Sequence, residues 1–245
     1  MENDPAAAKA PGSTRQAREQ AASVQAMFQR IAPRYDLMNR LMTGGQDIRW
    51  RKVVIRLANI PPDGKLLDLG AGTGDLAREA LRQVPGCRPV AADFTLGMMQ
   101  AGKRLPGLQL TWSCADALAL PFPNASFDAV VSGFLLRNVV NLPGSLREQF
   151  RVLKPGGRMV ALDTTPPQAS PLRILIRFHM HRIIPFLGEL ITGARDAYTY
   201  LPDTSERFLP AEALHTLLDA AGFCQTGFRR LMFQTVAIHW GTKPK

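Results

Sequence analysis

Cysteine is scarce in this chain. There are three in 245 residues, Cys87, Cys114 and Cys224, and no C-x-x-C pair among them. That spacing argues against a zinc site and against a disulfide framework, and the expected compartment is the reducing cytosol. No run of about 18 apolar residues exists, so no membrane-spanning helix is expected. The start, Met-Glu-Asn-Asp, lacks the apolar segment of a secretory signal. Acids are also in short supply: 20 Asp+Glu against 30 Lys+Arg leave a net charge of +10. Such a balance favours an anionic surface, either nucleic acid or an anionic membrane face. An RNA-modifying role would be expected to show a basic module interleaved with aromatics, and none is recognisable, so no nucleic-acid partner is expected. Nothing in the pattern implies a metal.

What remains is ordinary globular composition, 46 % hydrophobic and 20 % charged, enough for one large core. The chain is organised around Leu66-Leu67-Asp68-Leu69-Gly70-Ala71-Gly72-Thr73-Gly74-Asp75. The apolar residues and Asp68 read as the end of a buried strand, and Leu76 to Leu81 reads as a helix. A strand, a tight glycine turn and a helix N-terminus form a nucleotide-binding corner. A dinucleotide fingerprint needs G-x-G-x-x-G, and Asp75 stands where its third glycine should be. The pattern present is D-x-G-x-G-x-G. An acid two residues before the first glycine suits a cationic ligand better than a pyrophosphate, and a sulfonium beside an amino acid, as in S-adenosylmethionine (AdoMet), fits. Asp68, Gly70, Gly72, Thr73 and Gly74 are the candidate cofactor residues of this corner.

Residues 1–22, rich in Ala, Gln, Ser and Pro, read as a mobile tail, helical at most near its end. Residues 23–245 read as one domain. Within it, 24–60 form a helical cap in which Val24, Met27, Phe28 and Ile31 recur at helical spacing, and a second helix runs from Asp47 toward Leu57. This cap carries a local +5, seven Lys/Arg against Asp36 and Asp47. Strands then alternate with helices: strands near 65–69, 88–92, 108–113, 127–132 and 158–163, and helices near 75–83, 95–104 and 144–153. The expected fold is α/β, a doubly wound sheet of seven strands closed by an antiparallel C-terminal hairpin, its last strand near Val236–Trp240. Ligands of such sheets bind outside the carboxyl ends of the strands.

Asp93 ends the second strand, where an acid can hydrogen-bond both ribose hydroxyls, with Phe94 beside it. Asp116 follows the third strand, placed to accept from an adenine amino group, with Ala117 offering a backbone N–H. After the fourth strand come Arg137 and Asn138, on the cofactor side of the sheet. Pro155-Gly156-Gly157 reads as turn chemistry. Residues 166–204 break the alternation with an apolar stretch studded by Arg173, Arg177 and Arg182, a helical insertion or lid in which Pro185 should introduce a kink.

These residues resemble the class I AdoMet-dependent methyltransferases, and within them the C-methyltransferases of ubiquinone and menaquinone biosynthesis (the UbiE/MenG family), over nearly all of residues 24–245. The resemblance rests on Tyr35-Asp36-Leu37-Met38-Asn39 running on to Trp50, Leu-Pro-Phe at 120–122, Leu-Arg-Asn at 136–138, Arg151-Val152-Leu153-Lys154-Pro155-Gly156-Gly157, Tyr-x-Tyr-Leu-Pro at 198–202 and Ala237-Ile238-His239-Trp240-Gly241. The chain departs from the family pattern at Asp47, where a His is usual, at Thr43 and Gly133, each in place of Ser, and at Asp163-Thr164-Thr165, in place of Glu-x-Ser.

The resemblance implies a Rossmann-like fold and methyl transfer from AdoMet, without metal, to a ring carbon of a polyprenylated quinol. Demethylmenaquinol is the first expectation and a ubiquinone-pathway benzoquinol the alternative. An AdoMet-binding subunit without catalysis and an RNA methyltransferase are the remaining alternatives. It implies Arg137 as the group stabilising a phenolate, Asn138 as orienting the ring, and Tyr35, Tyr198, Tyr200 and His239 on the substrate side. A cytoplasmic protein held peripherally at the membrane surface is expected, compatible with a homodimer.

Overall fold

The computed structural model describes residues 14–166, 173–193 and 195–245. The first 13 residues of the expected tail, and 167–172 and Ala194 of the expected insertion, lie outside the described residues. Three helices come first: α1 (Thr14–Ile31), α2 (Tyr35–Thr43) and α3 (Gln46–Ala58). α1 begins well before the apolar spacing that starts at Val24. The preceding Ala, Gln, Arg and Glu are strong helix formers and extend it into the expected tail.

The alternating part follows as β1 (Lys65–Leu69), α4 (Asp75–Gln83), β2 (Arg88–Asp93), α5 (Leu96–Arg104), β3 (Thr111–Cys114), β4 (Phe127–Gly133), α6 (Leu142–Val152) and β5 (Leu153–Thr164). The insertion contributes α7 (Arg173–Phe178), a π-helical turn His179–Ile183, α8 (Ile184–Thr192) and α9 (Arg195–Arg207). The chain closes with α10 (Ala211–Ala220), β6 (Cys224–Leu231) and β7 (Val236–Thr242).

The sheet has seven strands in the order β3-β2-β1-β4-β5-β7-β6. β1 to β5 pair in parallel, and β7 inserts antiparallel between β5 and β6. The order reverses between β1 and β4. Their connections leave in opposite directions there and open a crevice at the carboxyl ends.

Both faces of the sheet are covered. Trp50, Val54 and Ile55 of α3 pack with Leu76 and Ala80 of α4 on Leu66, Val131 and Val160. Leu146 of α6 and Leu214 and Leu218 of α10 cover Leu67, Val130 and Ala161 on the other face. A third, smaller core joins the cap to the insertion, around Ile31, Met38, Ile184 and Tyr198.

Two details differ from the expectation. Pro155-Gly156-Gly157 lies within the irregular start of β5, where the register against β4 shifts between Phe127 and Ala129. Gly156 takes φ +76° and donates its N–H to Lys243 O, so the glycines serve an irregularity at the start of this inner strand. Around Pro185 the helix widens instead of simply kinking. The N–H of Ile184 bonds back to His179 O, five residues earlier, in a π turn that precedes the proline in the first turn of α8.

Candidate functional site

The glycine turn leaves β1 and enters α4. Asp68 is buried. Its Oδ2 accepts the N–H of Ala77 at 2.9 Å, and its Oδ1 has no hydrogen-bond partner among the described residues. Burial pushes its pKa up to about 7. Gly72, at φ +58°, turns its N–H onto Asp93 Oδ2 at 2.7 Å, while Asp93 Oδ1 accepts from Thr95 N at 2.7 Å. Asp93 thus ties the turn to the end of β2, and burial raises its pKa. Asp116 Oδ1 accepts from Leu118 N at 2.9 Å, a local turn that holds the carboxylate and Ala117 at the end of β3. Thr73 Oγ1 donates to Asp36 Oδ1 at 2.8 Å, which fastens the cap to the turn.

A cavity of about 370 Å³ lies over these strand ends. Gly70, Gly72, Asp93, Phe94, Asp116 and Ala117 form its floor, and Val24, Gln25 and Phe28 of α1 overhang it. Gln25 is latched there by Nε2 donating to Phe94 O at 2.8 Å. A second, mainly apolar cavity of about 570 Å³ lies beside it, between α2, the π turn and the β6–β7 connection. Met42, Thr43, Met180, Ile183, Ile184 and Phe233 are among its walls, and Arg137 stands in it. A small cavity of about 40 Å³ sits against Asp68, Thr73, Asp75 and Arg51. Tyr35 and Phe134 line all three and so stand where they meet. Phe134 holds φ +60°, an unusual backbone state for a bulky side chain, at the end of β4.

Arg137 and Asn138 occupy a single 3-10 turn after β4. The Arg137 guanidinium donates from Nη1 to Asp163 Oδ1 at 2.9 Å and lies 5.0 Å from the Phe134 ring centroid. Asp163 also accepts the N–H of Arg137 at 3.2 Å and of Thr164 at 2.7 Å. Asn138 donates to Phe134 O at 3.1 Å and accepts from the Tyr200 hydroxyl at 3.3 Å. Burial raises the Tyr200 pKa, and burial does the same to Tyr35.

An acid-rich glycine corner, a roomy cavity over it and a separate apolar cavity sharing two aromatic walls are the parts of a transferase with two substrates. The family model described as "ubiE/COQ5 methyltransferase family" matches residues 14–243. The chain belongs to this family.

Two curated relatives bracket its names. The chain is 44 % identical over 221 residues to the "Ubiquinone/menaquinone biosynthesis C-methyltransferase UbiE" of Desulfotalea psychrophila, covering 90 % of each. It is also 44 % identical over 221 residues to the "Demethylmenaquinone methyltransferase" of Thermus thermophilus, covering 89 % of this chain and all of that one. Among solved structures, the [4+2]-cyclase SpnF superposes with a TM-score of 0.67 at 19 % identity, over 91 % of this chain and 96 % of that one. A Haemonchus contortus phosphoethanolamine N-methyltransferase solved with AdoMet gives 0.60 at 14 % identity, over 80 % of this chain and 53 % of that one. The latter two speak to the fold.

As a family member the chain is an AdoMet-dependent C-methyltransferase. The corner fits that co-substrate. It holds a buried Asp68 carboxylate oxygen without a partner among the described residues, for positive charge, and left-handed backbone at Gly70 and Gly72 that lines the cavity floor. The structure gathers Asp68, Gly70, Gly72, Thr73, Asp93, Phe94, Asp116 and Ala117 around the first and third cavities, Tyr35 against both, Asn138 against the first, and Arg137 against the adjoining apolar cavity.

Three sequence candidates lie elsewhere. Gly74 lines none of these cavities. It caps α4 at φ +90°, and a Cβ there would meet Leu110 at 2.6 Å and Trp112 at 3.0 Å, so it is a packing glycine. Tyr198 is wholly buried in the third core against Gly188 and lines none of these cavities. His239 is buried on β7, stacked on Phe228 at 5.4 Å, with Nε2 at 3.0 Å from Ala211 O and a pKa pushed down to about 4 by burial. Tyr200 reaches the site through Asn138. Arg51, Phe134 and the α1 overhang join the site without a motif that marks them in the sequence. A positive φ at a phenylalanine and a pairing between α3 and α4 leave no local signature.

Proposed function

We propose that this methyltransferase acts on a ring carbon of a polyprenylated quinol, demethylmenaquinol to menaquinol. The observation that carries the reading is the apolar cavity meeting the cofactor cavity at Tyr35 and Phe134, with the Arg137 cation at its wall. A cavity whose surface is mostly apolar suits a fused ring and the first units of its prenyl tail.

Bound AdoMet supplies an electrophilic methyl on a sulfonium. The protein's part is to align the ring carbon with it, exclude water and make that carbon electron-rich. A quinol hydroxyl ionises near pH 10 in water. Loss of its proton sends charge onto the neighbouring ring carbon, and Arg137 favours that anion. Asp163 holds the guanidinium in place and tempers its charge, so Arg137 acts by directed hydrogen bonding as much as by net field. Asn138, fixed between Phe134 O and Tyr200, lines the cofactor cavity next to Phe134.

The prenyl tail calls for delivery from lipid. Leu37, Leu41, Ile183, Phe186, Leu190 and Phe233 are exposed on the elements bordering the apolar cavity, and Leu41, Ile183 and Phe233 line it directly. Arg40 and Arg182 are exposed on the same elements, and Arg34 and Arg177 are exposed on the turn before α2 and on α7 before the π turn. We read this as a peripheral membrane face, apolar insertion flanked by cations. No helix among the described residues is long and apolar enough to cross a membrane. Sedimentation with anionic vesicles should fall as salt rises, and equal binding to neutral vesicles at low salt would remove the electrostatic part.

The chemical reading is tested by anaerobic methyl transfer to naphthoquinone and benzoquinone substrates, each supplied oxidised and chemically reduced. Turnover is expected on the reduced naphthoquinol alone or fastest. A quinone ring has no proton to lose and its carbons are electrophiles, so equal rates on both redox forms would refute the phenolate route. Arg137→Ala should lower kcat and leave AdoMet affinity near wild type, because the charge it stabilises grows only as the proton leaves.

A further inference from the structure

Arg51 belongs to α3, one helical turn after Asp47, and its side chain reaches the small cavity between the cap and the glycine turn. It pairs from Nη1 with Asp47 and from Nη2 with Asp75 at 3.0 Å. Asp47 is fully buried and also meets Thr43 Oγ1 at 3.1 Å, so it is a fixed anchor. Asp75 is different. Its side chain is 25 % exposed in the first turn of α4, on the rim of the cavity, where it can rotate toward solvent.

The small cavity shares Gly70, Gly72, Tyr35, Gly133 and Phe134 with the large cofactor cavity, and so continues it on the side away from Asp93 and Asp116. If Asp93 and Asp116 face the nucleoside, the far end receives the amino-acid end of the co-substrate. That end carries an ammonium and a carboxylate. Asp68 Oδ1, buried and without a partner among the described residues, provides for positive charge. The carboxylate needs a cation, and Arg51 is the one cationic residue among the described residues lining this cavity. A guanidinium is suited to carboxylates by its paired, planar N–H groups.

We propose that Arg51 binds the α-carboxylate of AdoMet, with Asp47 holding the guanidinium and the ligand taking the place of Asp75 on Nη2. On this reading Asp47, the departure from the family's usual His, belongs to the cofactor site as a positioning residue. Asp75, which occupies the third-glycine position of a dinucleotide fingerprint, is the internal stand-in for the ligand. The inference rests on AdoMet use and is independent of the quinol assignment.

Calorimetric titration of the full chain with AdoMet and with decarboxylated AdoMet tests it. Wild type should prefer AdoMet by about tenfold or more, the loss expected for a charge-assisted hydrogen bond. In Arg51→Met that preference should collapse while affinity for the decarboxylated ligand stays near wild type, and Arg51→Lys should restore part of it. Asp75→Asn should strengthen AdoMet binding by removing a competitor. A preference that survives in Arg51→Met, an equal loss for both ligands, or no preference in wild type would overturn the proposal. If Arg51→Met does not fold, Arg51→Lys decides, because an intermediate preference supports the contact and an unchanged one refutes it. Weaker AdoMet binding in Asp75→Asn would overturn the exchange of partners.

Discussion

The Arg137–Asp163 pair can be broken one side at a time. Both side chains are nearly out of solvent, at 6 % and 1 % exposure. Removing one partner of a buried pair strands the other charge and costs about 3–5 kcal/mol. Arg137→Met leaves the Asp163 carboxylate buried with two backbone N–H donors. Asp163→Asn keeps an acceptor for those donors but leaves the guanidinium facing a neutral amide. Each single change should therefore cost about 3 kcal/mol or slightly more. The double variant strands neither charge and keeps the amide acceptor, so its cost should be about 2 kcal/mol. The coupling is then about 4 kcal/mol, well above the few tenths seen for independent sites.

Urea unfolding followed by circular dichroism reads this directly. At a slope of about 3 kcal/mol/M, each single variant should lose about 1 M in midpoint, and the double variant less than either. Additive losses would refute the reasoning. They would mean that Asp163 serves the 3-10 turn through its backbone bonds and that Arg137 is solvated through the apolar cavity.

Asp68, held near neutrality by a pKa of about 7, must give up its proton to meet a cation, so AdoMet affinity should rise from pH 6 to pH 8. Titration at pH 6 in buffers of different ionisation enthalpy should show proton release, and Asp68→Asn should abolish both effects; a flat profile in wild type would exclude Asp68 as the cation's partner. His239 is held neutral, with a folded pKa of about 4 against an ordinary 6.5, so the unfolded chain takes up a proton that the fold refuses as pH falls through this window. Stability should drop by up to about 3 kcal/mol between pH 6.5 and 4 from this residue. Asp68 runs the other way, because its raised pKa stabilises the fold at acid pH and that contribution is lost as pH rises from about 4 to 7. The His239 share is therefore read as the difference between wild type and His239→Gln across pH 4–7, and parallel curves would count against it. Gly74→Ala should cost about 2–4 kcal/mol, combining a left-handed φ with overpacking against Leu110, while the fraction that folds keeps wild-type AdoMet affinity. Lost affinity in a stable variant would return Gly74 to the cofactor site.

What the sequence determined by itself was local. The glycine turn, Asp93 and Asp116 at strand ends, and the alternation of β and α follow from backbone chemistry and hydrophobic period within a few residues, and those periods imply the sheet and its ligand edge. The tertiary structure decided which member of each local pattern faces the ligand. Gly72 and Gly74 are indistinguishable as letters, yet one opens on a cavity and the other is pressed against Trp112. Tyr198 and Tyr200 share one motif, but two residues along a helix turn through about 200°, so one enters the cap core and the other meets Asn138. His239 alternates inward on a strand whose neighbours, β5 and β6, are set only by the order of the sheet. Asp75 meets the Asp47–Arg51 pair only because α3 packs on α4, and Tyr35 and Phe134 meet only because the cap folds over β4. Such meetings depend on how faces pack at long range, and no window along the chain carries that information.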